Sequence, residues 1–228
     1  DKKLRCKRCY SQIEEDWQLP EGQYYCRACI VFGRNQEGKE LYYFPSKTSE
    51  IEFPVLKWLG ELTPYQAEVS EKLLETYQKQ KDSLVHAVTG AGKTEMIYKI
   101  VAYVLGNKGR VAIASPRVDV CRELFLRMQR DFTCSISLLH AESEPYDGSP
   151  LVIATTHQLL KFYQNFDLVI VDEVDAFPFV GNVMLNHAVE QAKKETGRYI
   201  YLTATSTLSL EEQVRLGSLE KHHLARRF

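Results

Sequence analysis

Ala87-Val88-Thr89-Gly90-Ala91-Gly92-Lys93-Thr94-Glu95 is the stretch on which the reading of this chain turns. The apolar run that leads into it, Ser83-Leu84-Val85-His86-Ala87-Val88, reads as a short buried strand. Beyond it Met96, Ile97, Ile100, Val101 and Val104 recur at helical spacing. The order is therefore strand, glycine turn, helix. Such a turn aims several backbone N–H groups and the positive end of a helix at one point, where a phosphate is held. Gly90 and Gly92 have no Cβ to keep a phosphate off the backbone. Thr89, Gly90, Ala91, Gly92, Lys93, Thr94 and Glu95 are thus expected to cradle a nucleoside triphosphate. Lys93 reaches its β/γ-phosphates and the Thr94 hydroxyl takes a Mg²⁺ ligand position.

Working outward, further apolar runs stand at 110–114, 136–140, 151–154, 168–171 and 198–202, with helical patterns at 118–130 and 182–194 between them. Strands alternating with helices predict an α/β fold, a parallel sheet covered on both faces. Ligands on such sheets bind at the carboxyl ends of the strands. Leu168-Val169-Ile170-Val171-Asp172-Glu173-Val174-Asp175 is an apolar strand that ends in acids. Asp172 is expected to hold Mg²⁺ through water, and Glu173 to orient and deprotonate an attacking water. Upstream, Thr63 and Pro64 open a helix as N-cap and first-turn residue. The amide of Gln66 at that helix start has one donor and one acceptor to offer an adenine edge.

The N-terminal part is of another kind. Cys6-Lys7-Arg8-Cys9 and Cys26-Arg27-Ala28-Cys29 are two C-x-x-C knuckles at four-cysteine Zn²⁺ spacing. Four sulfurs complete a tetrahedron, so Cys6, Cys9, Cys26 and Cys29 predict a structural site without an open position. Pro20-Glu21-Gly22 reads as a turn joining two strands. Basic side chains slightly outnumber acidic ones in residues 1–34, but four thiolates around one divalent ion carry −2 and bring the sum to about zero. DNA contact and protein docking are both open for this module, and its Arg and Lys are explained equally well as screening the thiolates. Leu41-Tyr42-Tyr43-Phe44-Pro45 is a candidate strand ended by proline. The expected division is a zinc module over 1–34, a linker or lead-in over 35–60 and one large lobe over 61–228.

Composition excludes little. The 228 residues are 44% hydrophobic and 26% charged, with a net charge of −1. Nucleic-acid binding must then come from local groups rather than a basic surface. No run reaches the roughly 18 apolar residues of a membrane span. Six cysteines beside a nucleotide site suggest a reducing cytoplasm and metal binding. Cys121 is expected to be a buried core thiol, His86 a packed strand residue, and the tail at Lys221-His222-His223 and Arg226-Arg227 a solvated basic face.

Taken in order, Thr89 to Thr94, the acidic run 172–175 and Thr203-Ala204-Thr205 resemble motifs I, II and III of the superfamily 2 helicases. Ala87, where the usual phosphate-loop pattern has Gly, matches the variant found there. Ser115-Pro116-Arg117 is similar to motif Ia and Thr155-Thr156-His157-Gln158-Leu159 to motif Ib. The run DEVDAFP at 172–178 together with an N-terminal four-cysteine module resembles the ComFA-type late-competence ATPases, which act in DNA uptake. A primosome-restart helicase looks similar in the lobe alone. The resemblance implies a RecA-like lobe, ATP and Mg²⁺ as cofactors, single-stranded DNA and other competence proteins as partners, and a cytoplasmic place, at the inner face of the membrane through partners. It implies that Ser115, Arg117, Thr155 and Thr156 touch DNA phosphates, and that Thr203 and Thr205 couple nucleotide state to lobe movement. It also implies a second lobe supplying an arginine finger, for which this chain has no room after Thr205. The expectation is therefore an N-terminal fragment that hydrolyses ATP very slowly. The alternative from another class is a nucleotide-gated protein-docking module.

Overall fold

The structure, a computed structural model, describes residues 4–46, 51–87, 92–175 and 181–224. Strands β1 (Asp82–Ala87), β2 (Val111–Ser115), β3 (Ile136–Leu139), β4 (Leu151–Thr155), β5 (Phe166–Asp172), β6 (Lys193–Thr203) and β7 (Leu219–Leu224) form one sheet in the order β3-β4-β2-β5-β6-β1-β7. Every neighbouring pair is parallel. Helices α1 (Pro64–Gln78), α2 (Lys93–Met96), α3 (Tyr98–Gly106), α4 (Val118–Asp131), α5 (Val183–Ala192) and α6 (Leu208–Arg215) connect them. A 3-10 helix, Thr156–Lys161, follows β4. This is the expected α/β sheet covered on both faces.

The two faces are set by strand alternation. Val85, Ile113, Ile153 and Ile170 point into one core with Val69 and Leu73 of α1, Ile100 and Val104 of α3 and Leu124 and Met128 of α4. Their neighbours Leu84, Ala112, Val152 and Val169 point into the other, with Leu159 and Leu160 of the 3-10 helix and Leu185 and Val189 of α5. β2 and β4 are buried along their whole length, which is why they read as unbroken apolar runs. Each buried Leu, Ile or Val contributes about 1.5–3 kcal/mol of transfer free energy. The helix that opens at Thr63 is closed by a capping box. The Gln66 N–H donates to Thr63 Oγ1 at 3.4 Å, and Gln66 Oε1 accepts from the Thr63 N–H at 2.9 Å.

Several expectations are amended. Residues 41–44 form no strand: Tyr42 and Phe44 stand 78% and 83% exposed, and no strand among the described residues pairs with them. The run at 221–223 is the middle of β7, paired with β1 in register from Asp82↔Leu219 to Ala87↔Leu224; Lys221 and His223 are exposed as expected, His222 is not, and Arg226 and Arg227 lie outside the described residues. His222 is buried there, and its Nε2 lies 3.3 Å from Thr76 Oγ1 of α1. The helix expected over 182–194 ends at Ala192, and β6 starts at once with Lys193, well ahead of residue 198. In the cysteine module the two expected strands are reduced to single antiparallel bridges, one of them Gln18↔Tyr24 around the turn at 20–22. The lead-in, finally, is partly core. Val55 is buried, Leu56 bridges Phe132, and the Lys57 N–H donates to the Asp131 carbonyl at 2.8 Å.

Candidate functional site

The residues singled out in the sequence collect along one edge of the sheet. Ala87, Ser115, Thr155, Asp172 and Thr203 are the last residues of β1, β2, β4, β5 and β6. Parallel pairing brings those ends together, with Ser115 opposite Thr155, Asp172 opposite Leu202 and His86 opposite Thr203. Thr89, Gly90 and Ala91 lie outside the described residues, as do residues 176–178 of the DEVDAFP run. Described backbone resumes at Gly92, which is left-handed at φ +69. A Cβ there would run into Gln66 Nε2. The amide of Gln66 therefore spans two elements: its oxygen caps α1 and its nitrogen lies against the phosphate-loop glycine.

Lys93 opens α2, and its ammonium donates to Asp172 Oδ1 at 3.3 Å; both side chains are 15% exposed. The same Oδ1 accepts from the Glu173 N–H at 2.9 Å. Glu173 is held left-handed, φ +57, a conformation that non-glycine residues adopt rarely and mostly where surroundings impose it. Its Oε1 lies 4.0 Å from an Arg117 guanidinium nitrogen, and its Oε2 is buried without a hydrogen-bond partner among the described residues. Burial pushes the Glu173 carboxyl above the usual carboxylate range. Asp172 adds to that push, while Arg117 and Lys93 oppose it. Glu95 turns elsewhere, pairing with Arg127 of α4 at 3.2 Å, and Thr94 stands second in α2.

The end of β6 is tied to the acidic run. Thr205 donates to Asp175 Oδ2 twice, from its backbone N–H at 3.0 Å and its hydroxyl at 2.6 Å. Thr203 Oγ1 donates to the Thr205 carbonyl at 2.5 Å. His86 Nε2 lies 2.9 Å from the Ala204 carbonyl, so β1 is joined to the same turn. Asp175 and His86 are the residues sequence reasoning undervalued here. Asp175 had a signal, an acid three residues after Asp172, whereas His86 had none beyond its place in the strand. Burial raises the Asp175 carboxyl, but hydrogen bonds from Thr205 and Thr203 prevail and hold it below the usual range.

Of the residues assigned to DNA phosphates, only Arg117 is exposed. Ser115 and Thr156 are fully buried and Thr155 is 8% exposed. Ser115 Oγ accepts from the Arg117 N–H at 3.4 Å, and the Arg117 guanidinium is held by Asp119 at 2.5 Å. The structure thus gathers the four at one edge while turning three of them inward.

The four cysteines come together with all sulfurs within 4.8 Å of one another. Cys6 and Cys29 Sγ are 3.7 Å apart and Cys9 and Cys26 Sγ 3.5 Å. Sulfurs about 2.3 Å from a common tetrahedral ion stand about 3.8 Å apart, so the cluster fits Zn²⁺. Hydrogen bonding from Cys29 pulls the Cys6 thiol far down while Cys29 is pushed up in exchange. Four thiols this close ionise together only around a cation. Two residues outside the knuckle pattern support the sulfurs. Arg8 donates to Cys29 Sγ from Nε at 3.2 Å and Nη2 at 3.1 Å, and its guanidinium also reaches the Phe32 and Gly33 carbonyls. Asn35 Nδ2 donates to Cys6 Sγ at 3.1 Å. Screening of thiolates by basic side chains is therefore what Arg8 does. The module seats on α5 through Tyr10, stacked on His187 with ring centroids 5.2 Å apart.

With this geometry in hand, the likeness to known proteins is specific. The chain is 60% identical to the competence protein ComFA of Streptococcus pneumoniae over 99% of its own length and 52% of that protein's. It is 35% identical to ComFA of Bacillus subtilis over 97% of the chain and 51% of the relative. It thus spans about half the length of these relatives. Likeness to the replication restart protein PriA of Synechocystis is 29% over 50% of the chain and 15% of that protein. In fold, the helicase domain of Pyrococcus furiosus Hef superposes with a TM-score of 0.54 over 68% of this chain and 37% of that one, at 20% identity. Residues 63–213, which run from the cap of α1 into α6 and include every strand end described above except that of β7, match the DEAD/DEAH box helicase family, and the chain belongs to that family.

Proposed function

We propose that the chain is the first lobe of an ATP-driven motor that moves single-stranded DNA during competence, carrying a structural zinc at its N-terminus. The pairing of Lys93 with Asp172 across the strand edge carries this reading. At 3.3 Å and an effective dielectric near 20 the gross attraction of the two charges is about 5 kcal/mol. A triphosphate offers Lys93 several negative oxygens in place of one carboxylate oxygen, so bound nucleotide draws the ammonium off Asp172 and leaves that carboxylate for Mg²⁺. Bound Mg²⁺ supplies charge neutralisation to the phosphates, and Thr94 and Asp172 are the residues to hold it. Thr89, Gly90, Ala91 and Gly92 give backbone N–H groups, and Glu173 takes a proton from the attacking water. Its raised proton affinity suits a base, and Arg117 beside it opposes that rise. Thr205 reads the state of the acidic run through Asp175. Gln66 positions Gly92, and its reach to adenine is secondary.

The same proposal assigns DNA backbone contact to Arg117 first, with Ser115, Thr155 and Thr156 acting through their backbone groups. It also assigns Zn²⁺ to the four cysteines and other competence proteins as partners. Hydrolysis by this lobe alone is slow, because a finger arginine from a second lobe contributes several orders of magnitude in related motors. Among the described residues no helix is long and apolar enough to cross a membrane. The test is ATP hydrolysis by the full-length protein with and without single-stranded DNA. Stimulation by DNA that disappears in Lys93→Ala is expected; stimulation that survives Lys93→Ala removes the reading.

A further inference from the structure

We propose that the groove between the cysteine module, the 40–44 segment and the 3-10 helix is a second seat for single-stranded nucleic acid, in which Tyr42 and Tyr163 stack on bases and Lys7 and Lys161 hold phosphates. The inference rests on the motor reading above and adds a contact that the helicase motifs do not contain.

The groove has a volume of about 700 Å³. Tyr42 and Tyr163 line it and are 78% and 52% exposed, which is unusual for two tyrosines in one concave surface. Tyr43 is 44% exposed, and its ring meets Tyr163 edge to face with centroids 5.7 Å apart. Tyr42 stands outside this pair. That answers why the apolar run 41–44 is not a strand, since its side chains are presented rather than packed. Lys7 and Lys161 flank the aromatics, against one lining acid, Glu40. Arg8 also lines the groove but turns its guanidinium to Cys29, where it offsets thiolate charge that would otherwise repel phosphate.

Two observations favour nucleic acid over protein as occupant. Protein interfaces are depleted in lysine, whereas sequence-tolerant single-strand binding combines cations along the backbone with aromatic faces for the bases. The groove also lies one short helix away from the strand edge. The 3-10 helix begins at Thr156, directly after β4, and ends at Lys161 in the groove, about 10 Å away at 2.0 Å per residue. A strand leaving the carboxyl ends of β2 and β4 has about that distance to cover to Lys161.

The experiment is fluorescence anisotropy of the full-length protein with a labelled oligothymidylate, at several salt concentrations, for wild type, Tyr42→Ala, Tyr163→Ala and Lys7→Gln/Lys161→Gln. Each tyrosine variant is expected to weaken binding about tenfold without lowering Tm, and the double lysine variant to flatten the salt dependence by about two phosphates. Photo-crosslinking with 5-iododeoxyuridine should mark the segments around Tyr42 and Tyr163. Wild-type binding and DNA-stimulated hydrolysis with tyrosine variants within twofold of wild type, and crosslinks confined to the strand edge, overturn this inference alone. Loss of a co-purifying protein with DNA affinity intact overturns it in favour of a protein occupant. A wild-type protein that neither binds the oligonucleotide nor responds to it overturns this inference together with the motor reading.

Discussion

Gly92 is under two constraints at once. Its φ of +69 costs an L-residue about 1–2 kcal/mol, and a Cβ there meets the Gln66 amide. Gly92→Ala should therefore weaken binding of a fluorescent ATP analogue about tenfold. Gly92→Ala/Gln66→Ala should recover part of the loss, because removing the amide relieves the contact but leaves the backbone strain. Wild-type affinity in Gly92→Ala would contradict this account of the loop. Arg8 carries a second residue-scale prediction. Outer partners of metal ligands are typically worth 10–100-fold in affinity, so Arg8→Ala should lose zinc to a colorimetric chelator that much more readily. Arg8→Lys should not restore retention, since one ammonium cannot replace a fork that bonds a sulfur and several carbonyls. Both residues were legible in the sequence, Gly92 from the phosphate-loop pattern and Arg8 as a cation inside a knuckle. The capping role of Gln66 was legible too, since Thr63-x-x-Gln66 is the capping-box spacing, but its place beside a phosphate loop drew the reading toward adenine.

Among the elements, the turn after β6 is tied to the acidic run after β5 by side-chain contact through Asp175 and Thr205. A carboxylate held below its ordinary range contributes stability above that range, and the contribution is lost as pH falls through the lowered value. Asp175→Asn should thus cost about 1 kcal/mol in thermal or denaturant unfolding near pH 7, with the difference from wild type shrinking as pH drops below about 4. An equal difference at all pH values would rule out the charge-assisted link. The strands that sequence reading found are those with apolar runs, β2 and β4 buried on both faces above all, but also β3 at the sheet edge. β7 was missed because exposed Lys221 and His223 alternate in it with buried Leu219, His222 and Leu224. Of these only the two leucines signal the core without the sheet in view. The 41–44 segment failed in the opposite sense: it has strand composition but no partner strand among the described residues, and composition alone carries no information about partners.

Across the whole molecule, the cysteine module and the lobe share one core face, yet the module's own buried apolar groups are chiefly its four sulfurs. Stripping zinc should therefore melt the module while the parallel sheet persists. The expected record is loss of the part of the near-ultraviolet signal that Trp17, Tyr10, Tyr24 and Tyr25 contribute, with the far-ultraviolet spectrum largely kept; collapse of both spectra together would make the metal a requirement of the entire fold. The central claim is that β1 and β5 deliver Lys93 and Asp172 to one triphosphate. The most direct measurement is a double-mutant cycle on binding of the Mg²⁺ complex of ATP by wild type, Lys93→Ala, Asp172→Ala and the double variant. The account predicts at least a tenfold loss for each single variant and, for the pair, a loss smaller than the product of the two, because both act on one phosphate–metal unit. Wild-type affinity in either single variant, or losses that simply multiply, would contradict it.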